Sequence, residues 1–241
     1  MSHLHIPDGI LPPALWIAGL VLTALGLAWS GPAAARGGPR LIAYQSALGG
    51  IMLAVMALPV PITAFDYCMT LAGPVGVLLG AGAAFQVSFV VTLILALLGQ
   101  GGFTVVGLNA LVLGLGAMTA RPLYLGLVGG LGPARAMAAA TALSQLMSTV
   151  SWSAILVASV RITPGVAGEH VVADSLIRVW QRTGAAIVIP ILALAVALES
   201  LLGYGLGHFL ARVRPDLLPG PVRPSSASDR PAVPPAASGS P

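Results

Sequence analysis

The sequence predicts an all-α integral membrane protein, and three observations carry that reading. Hydrophobic residues make up 57% of the 241-residue chain and charged residues 7%, against roughly 25% charge in an ordinary soluble domain. Between Leu41 and Ala120 the only charged residue is Asp66. Five apolar runs, 14–30, 41–60, 74–98, 136–160 and 183–207, approach or exceed the roughly 20 residues that a helix needs to cross a bilayer. A soluble fold of this size needs a charged surface that this chain does not have. The single Cys68 excludes a disulfide scaffold. The net charge of +4 comes from Arg spread over loops and the C-terminal region, so no basic face is predicted for nucleic acid.

Taken in order, residues 1–13 form an N-terminal segment without Lys or Arg, unlike the basic start of a signal peptide. The transmembrane helical domain is placed at 14–210. Arg36 and Arg40 after the first run mark a cytoplasmic loop and put the N-terminus outside. The loop 61–73 is then also outside. Residues 103–132 are Gly-rich and interrupted by Arg121-Pro122; they form one long tilted helix or two shorter segments, and a seven-span count has them cross twice, or once with a broken partner. Arg212, Arg214, Arg223 and Arg230 make the C-terminal region cytoplasmic. N-outside with C-inside requires an odd number of spans, so about seven are expected, with six as the alternative. The loop 161–182, with Glu169, His170 and Asp174, reads as a solvated connection. Residues 211–241 read as a disordered, Pro-rich cytoplasmic tail, with eight Pro among the last 27 residues.

Polar residues in such a chain are few, and each is informative. The N-terminus reads Met1-Ser2-His3-Leu4-His5-Ile6-Pro7-Asp8-Gly9. A terminal amine, a backbone amide such as that of Ser2 or His3, and the imidazole of His3 or His5 can chelate one metal through nitrogen; Ni(II), Cu(II) and cobalt suit such a set. Exposed His near a terminus is equally ordinary as a solvated residue. A second cluster, Asp66-Tyr67-Cys68-Met69, carries potential ligands in Asp66 and Cys68, or a helix cap and core packing. A third, Gly99-Gln100-Gly101-Gly102-Phe103-Thr104 continuing to Gly107-Leu108-Asn109, suggests a broken helix at membrane depth whose amides, Gln100 and Asn109, either line a substrate pocket or satisfy freed backbone groups. Finally, Ala43 and Ala47, and Gly50 and Ala54, are spaced four apart in the second run, a pattern for close helix contact inside the bundle or with another subunit. No catalytic motif is present, and a chain without Lys cannot carry a P-loop, so no enzyme activity or catalytic cofactor is expected.

On these residues the chain resembles the CbiM/NikM family, substrate-binding membrane subunits of cobalt and nickel energy-coupling-factor (ECF) ABC transporters. His5-Ile6-Pro7-Asp8-Gly9 is similar to the family's Met-His-Ile start with a Gly close behind. Gly101-Gly102-Phe103-Thr104-Val105-Val106-Gly107-Leu108-Asn109 is similar to its GG-x-T-x-x-G-x-N stretch. The resemblance spans roughly residues 5–210. It implies a bacterial inner-membrane importer subunit that captures Co(II) or Ni(II), with the terminal amine, the second-position His (here His5) and a loop His as ligands. It implies as partners a transmembrane coupling subunit, ATPase subunits and a small accessory membrane subunit, all within the lipid bilayer. The sequence departs from this pattern at three places. Four residues precede His5; loop 61–73 has no His, with Tyr67 near the expected position; and Gln100 stands where cobalt-type members carry His. Loss of Met1 would leave Ser2-His3 at the terminus, a start at Leu4 would restore Met-His-Ile, and Met1-Ser2-His3 is itself a chelator. Asp66 or Cys68 would then replace the loop His. Two alternatives stand beside this reading: a related importer subunit for a different or chelated ligand, and a membrane scaffold without a transport substrate.

Overall fold

The computed structural model describes residues 6, 8–9, 11–58, 60–62, 65–162 and 185–220. Among the described residues the secondary structure is helical apart from one small antiparallel hairpin. Helix α1 (Pro13–Met56) leads to β1 (Val60–Ile62) and β2 (Phe65–Tyr67), then α2 (Ala72–Leu79), α3 (Ala81–Leu97), α4 (Val106–Ile162) and α5 (Ala185–Val213), with a 3-10 turn at Pro215–Leu217.

Three glycines turn this linear order into a bundle. Gly38 inside α1, Gly80 between α2 and α3, and Gly132 inside α4 have φ of 65°, 80° and 75° with ψ near 180°. A side chain at such a φ is strained. Pro39 and Pro133 follow two of them, starting the next helix in the first turn, where Pro is tolerated. Packing shows that each is a reversal. Gly26 lies under the Phe85 ring and Gly82 against Ser30, whereas Gly49 meets Val87 and Gln45 bonds to Gln86. The first half of α1 therefore runs antiparallel to α3, and the second half parallel to it. Gly19 lies on Leu108 and Gly107 on Gly19 and Leu20, and the Thr23 hydroxyl donates to the Gly107 carbonyl at 2.7 Å. Farther along, Gly26 and Gly114 both meet the Phe85 ring, so the first half of α1 is parallel to the first half of α4.

The reversal at Gly80 corrects the expected spans. Gly76 packs on the Ala117 backbone and Gly80 on Arg121, so α2 runs with the first half of α4 while α3 runs against it. The run 74–98, expected to cross once, is a half-helix descending and a full helix returning. Of the two forms open to residues 103–132, the single long helix is the one found: it runs uninterrupted from Val106 to the turn at Gly132, and Pro122 lies inside it. The two halves of α4 are antiparallel, with Gly116 against Ser144 and Ser148, and α5 runs beside the second half, with Gly203 on Thr141 and Gly207 on Met137. The domain boundary also moves. Helix α5 continues to Val213, and Leu218 packs against the cluster of Val77, Tyr124, Met137 and Ala140, so residues 211–218 belong to the bundle. The tail residues 221–241 and the loop 163–184 lie outside the described residues.

Helix α2 occupies the centre. Seven of its eight residues are buried, which is possible because Gly73 and Gly76 bring its backbone onto Thr141 and Ala117. Around it, Met52, Met56, Val91, Leu95 and Leu113 join Val75 of α2 in an apolar cluster, the largest among the described residues. The outside is apolar as well. Leu25, Trp29, Leu97, Val150, Ile189 and Leu201 are each at least 60% exposed. Such a surface is unsustainable in water and suits hydrocarbon.

Candidate functional site: one end of the bundle

The chain's N-terminal segment is fixed to the bundle by two motifs that lie about a hundred residues apart. Ile6 is 2% exposed, within a cluster of Leu11, Val105 and Leu108. Its amide donates to Asn109 Oδ1 at 2.9 Å, and its carbonyl accepts from Asn109 Nδ2 at 3.3 Å and from the Gly102 amide at 3.1 Å. Asn109 thus substitutes for a neighbouring strand, pairing both polar groups of one buried peptide. Gly102 is required for this approach: a Cβ there would stand 2.6 Å from Asp8 N, Asp8 Oδ1 and Val105 Cγ2.

Asp8 completes the dock. Its carboxylate accepts from the amides of Phe103 and Thr104, each at 2.9 Å, and from the Thr104 hydroxyl. These donors form the turn that opens α4, so Asp8 caps the helix from 95 residues away and places negative charge at the positive end of its dipole. The Thr104 hydroxyl holds the Asp8 carboxyl below its ordinary value of 3.8, against partial desolvation and with the help of the backbone amides of Phe103, Thr104 and Val105. A depressed native pKa stabilises the docked state at pH above 3.8; this contribution is lost as pH falls through the depressed value. Amide hydrogen exchange at Ile6, Phe103 and Thr104, corrected for intrinsic rates, should therefore accelerate below about pH 3.8. Asp8→Ala should show part of that acceleration at neutral pH, since losing a helix cap costs about 1 kcal/mol. Unchanged protection in Asp8→Ala would remove Asp8 from the dock.

The same end of the bundle holds the second predicted segment. The β1–β2 hairpin pairs Val60 with Tyr67, Pro61 with Asp66 and Ile62 with Phe65. Gln100 Nε2 donates to the Ala57 carbonyl at 3.3 Å, just before this hairpin. The loop between α3 and α4 therefore touches both the N-terminal segment, through Gly102, and the base of the hairpin, through Gln100. Beyond the hairpin, Cys68 and Thr70 are buried. The Thr70 amide and hydroxyl both donate to Glu199 Oε1 of α5, at 2.5 and 2.9 Å. Thr70 Oγ1 in turn accepts from the Ala72 amide at 3.3 Å, and Leu71 between them has φ of 53°. Glu199 thus anchors the start of α2 much as Asp8 anchors the start of α4.

The predicted site residues are distributed as follows. Ser2, His3 and His5 lie outside the described residues, as do the side chains of Asp66 and Tyr67, whose backbones form β2. Gln100 and Asn109 are placed on backbone groups, the second of the two readings offered for them. Among the described residues, no three His, Cys, Asp or Glu side chains cluster. Ala43, Ala47, Gly50 and Ala54 are all exposed, and nothing lies within 4 Å of a Cβ built on Gly50, so the stripe faces out of this chain. Beside it runs a groove of about 410 Å³ lined by Gln45, Gly49, Gln86 and Val90. Two carboxylates outside the predicted set, Asp8 and Glu199, anchor helix starts. Asp8 stands beside Gly9 in the N-terminal motif, and no local signal pairs it with residues 103 and 104. The structure stacks exposed His208 on Tyr204 at 6.1 Å and buries Glu199 on Thr70.

A polytopic membrane protein with an N-terminal segment inserted against a Gly-rich loop is the class that fold and site define. Residues 5–217 match the family described as CbiM, cobalt uptake substrate-specific transmembrane region. The chain belongs to that family, a transport component and not an enzyme family, and it is a multi-pass membrane protein. No individually curated protein matches it.

Proposed function

We propose that this chain is the substrate-capturing subunit of an ECF-type importer for a divalent transition metal, Co(II) or Ni(II). The observation that carries this reading is the dock of Ile6 and Asp8 onto residues 102–109. It fixes the residues that directly follow His3 and His5 into one end of the bundle, where the Asp66–Thr70 segment also begins. The metal ligands are the N-terminal nitrogens of residues 1–5, with Ser2 or its neighbours supplying amide and His3 or His5 imidazole, joined by Asp66 or Cys68 in place of a loop His. Tyr67, Gln100 and Asn109 shape the pocket, Gln100 and Asn109 by holding the backbone around it.

The packing directions support seven passes. They are the two halves of α1, the stretch 60–79 with its half-helix α2, then α3, the two halves of α4, and α5. Half-helices in transporters commonly place termini at a binding site. Arg40, Arg135, Arg212 and Arg214 lie towards the end opposite Ile6, so the positive-inside rule puts the site outside and the C-terminus in the cytoplasm. The metal is captured there from outside. ATP hydrolysis in partner subunits, transmitted by a coupling membrane subunit at the exposed stripe of Ala43, Ala47, Gly50 and Ala54, drives release inward.

Metal content of the purified native-terminus protein tests this. About one Co or Ni per chain, lost in His3→Ala or His5→Ala, is the expected result and names the principal ligand. No metal in well-folded protein supplied with both ions would leave the family fold without a metal site and turn the search to chelated substrates. Ala47→Leu or Gly50→Leu should impair assembly with the coupling subunit while metal binding by the isolated chain stays intact. Equal loss of both would remove the stripe as a partner surface.

A further inference from the structure

The reversal at Gly80 lies towards the membrane face opposite the Ile6 dock. In the seven-pass arrangement proposed above, α3 crosses in 17 residues. That is about 25 Å of helix, against a hydrocarbon core of about 30 Å. The start of α3 therefore falls at the boundary between acyl chains and lipid headgroups. Arg121 lies across this turn: a Cβ on Gly80 would stand 2.8 Å from its Nη1 and 3.3 Å from its Cδ. Arg40 reaches the same level from another helix. Gln45 Nε2 donates to the Ala83 carbonyl at 3.5 Å, and the second half of α1 runs parallel to α3. Counting back equal rises along both helices brings residue 40 level with the Gly80 turn.

Both cations lack a counter-charge. Arg40, Arg121, Arg135, Arg212 and Arg214 share this end of the bundle with a single described carboxylate, Asp216. That carboxylate is taken, since Arg214 Nε and Nη2 donate to its two oxygens at 2.9 Å each. Among the described residues, Arg40 and Arg121 have neither a hydrogen bond nor an ion pair. Water can solvate Arg40, which is exposed, but Arg121 is half-buried. Arg121 also stands at the carboxyl end of α2, where the helix dipole favours a cation, yet it donates to none of that helix's carbonyls. A guanidinium partly withdrawn from water, with five donors unused, is incomplete without an acceptor. At headgroup depth that acceptor is a phosphate oxygen, which a guanidinium matches in bidentate geometry. Cytoplasmic leaflets supply phosphate with net negative charge, and basic pockets between helices on that side suit it.

We propose that Arg40 and Arg121 bind the phosphate of an anionic phospholipid at the Gly80 reversal, in the inner leaflet by the orientation given above. The lipid supplies the counter-charge that the chain lacks there and ties the inner end of the central half-helix to the membrane. This site is separate from the metal site and does not depend on the metal.

Full-length protein in neutral detergent, titrated with phosphatidylglycerol, phosphatidylcholine or inorganic phosphate, tests this. The readouts are lipid adducts in native mass spectrometry and apparent melting temperature. Phosphatidylglycerol should bind and raise the melting temperature more than phosphatidylcholine, which has a phosphate but no net charge, and more than inorganic phosphate. Arg40→Gln and Arg121→Gln should each weaken phosphatidylglycerol binding about fivefold or more. Arg121→Lys should lose less than Arg121→Gln. Arg135→Gln, beyond the Gly132 turn, should bind as the wild type does. Equal binding of the two lipids by the wild type overturns the proposal, as does wild-type affinity in a folded Arg121→Gln protein. An equal loss in Arg135→Gln overturns it too, since the effect is then charge spread over the whole end. Stabilisation by inorganic phosphate equal to that by phosphatidylglycerol overturns the lipid as the source. If Arg121→Gln does not fold, Arg40→Gln, a change at an exposed residue, decides by the same criteria.

Discussion

Gly102→Ala should weaken metal binding about a hundredfold while leaving the bundle folded. The new methyl would meet Asp8 N, Asp8 Oδ1 and Val105 Cγ2 at 2.6 Å, and the residue 8 backbone is the partner that must retreat. Its retreat breaks a linked set: the Gly102 amide to the Ile6 carbonyl, the Asp8 cap on Phe103 and Thr104, and the pairing of Ile6 with Asn109. Each such bond contributes about 1 kcal/mol net, and a buried group left unpaired costs about 1–3 kcal/mol. A loss near 3 kcal/mol is about a hundredfold in affinity. The helices meet elsewhere, at glycines such as Gly19, Gly73 and Gly116, so apparent melting should change little. Isothermal titration with Co(II) and thermal unfolding of the same sample separate the two effects. Wild-type affinity in Gly102→Ala would show that the dock is no part of the substrate site.

The opposite pattern is expected at Gly76. A Cβ there would overlap the carbonyl oxygen of Ala117 and stand 2.8 Å from its carbonyl carbon. The obstacle is main chain of α4, which cannot turn aside as a side-chain end would. Helix α2 is buried almost all round, so it cannot slide outward without opening the cluster of Met52, Met56 and Leu113 on one side or that of Tyr124 and Met137 on the other. Overpacking costs about 1–3 kcal/mol, and a backbone obstacle places this case at or above the upper end. That is a fall on the order of 10 °C in apparent melting temperature for a chain of this size. Gly76→Ala should lose fold and metal binding together. A stable Gly76→Ala protein would mean that α2 is not wedged as described.

The pair of outcomes separates what holds the bundle from what equips it. At Gly102 the crowding falls on a surface segment joined to the bundle by a few polar bonds. At Gly76 it falls on the central half-helix, where every neighbour is another helix.

The reading of the chain as a membrane protein followed from composition alone, because a bilayer leaves no freedom in the matter: 7% charge and long apolar runs do not suit a water-facing surface. The family followed from two short motifs, His5 to Gly9 and Gly101 to Asn109, and the match over residues 5–217 bears it out. The sequence also marked Gln100 and Asn109 as amides of consequence and 43–54 as a flat stripe. It could not say what those groups face. Apolar periodicity inside a bilayer is weak, since lipid and core are equally apolar; hence the stripe's exposure was open between two readings. The path of the chain was hidden for a related reason. One glycine at positive φ is enough to reverse a helix, and nothing local distinguishes Gly38, Gly80 or Gly132 from the glycines that let helices touch, such as Gly73 and Gly76. Only packing shows that residues 74–98 hold a reversal and that residues 106–131 do not.

Tertiary structure alone joined the two motifs. His5-Ile6-Pro7-Asp8-Gly9 and Gly101 to Asn109 are separate signals in the sequence; in the fold, Asn109 reads the Ile6 peptide and Asp8 caps the turn into α4. It likewise brought Glu199 to Thr70 across 129 positions. The physical reason is common to both. In an interior with no water, each carboxylate and each unpaired peptide group must find its partner within the chain, and that partner is set by where the helices cross, not by how far apart the residues stand in the sequence.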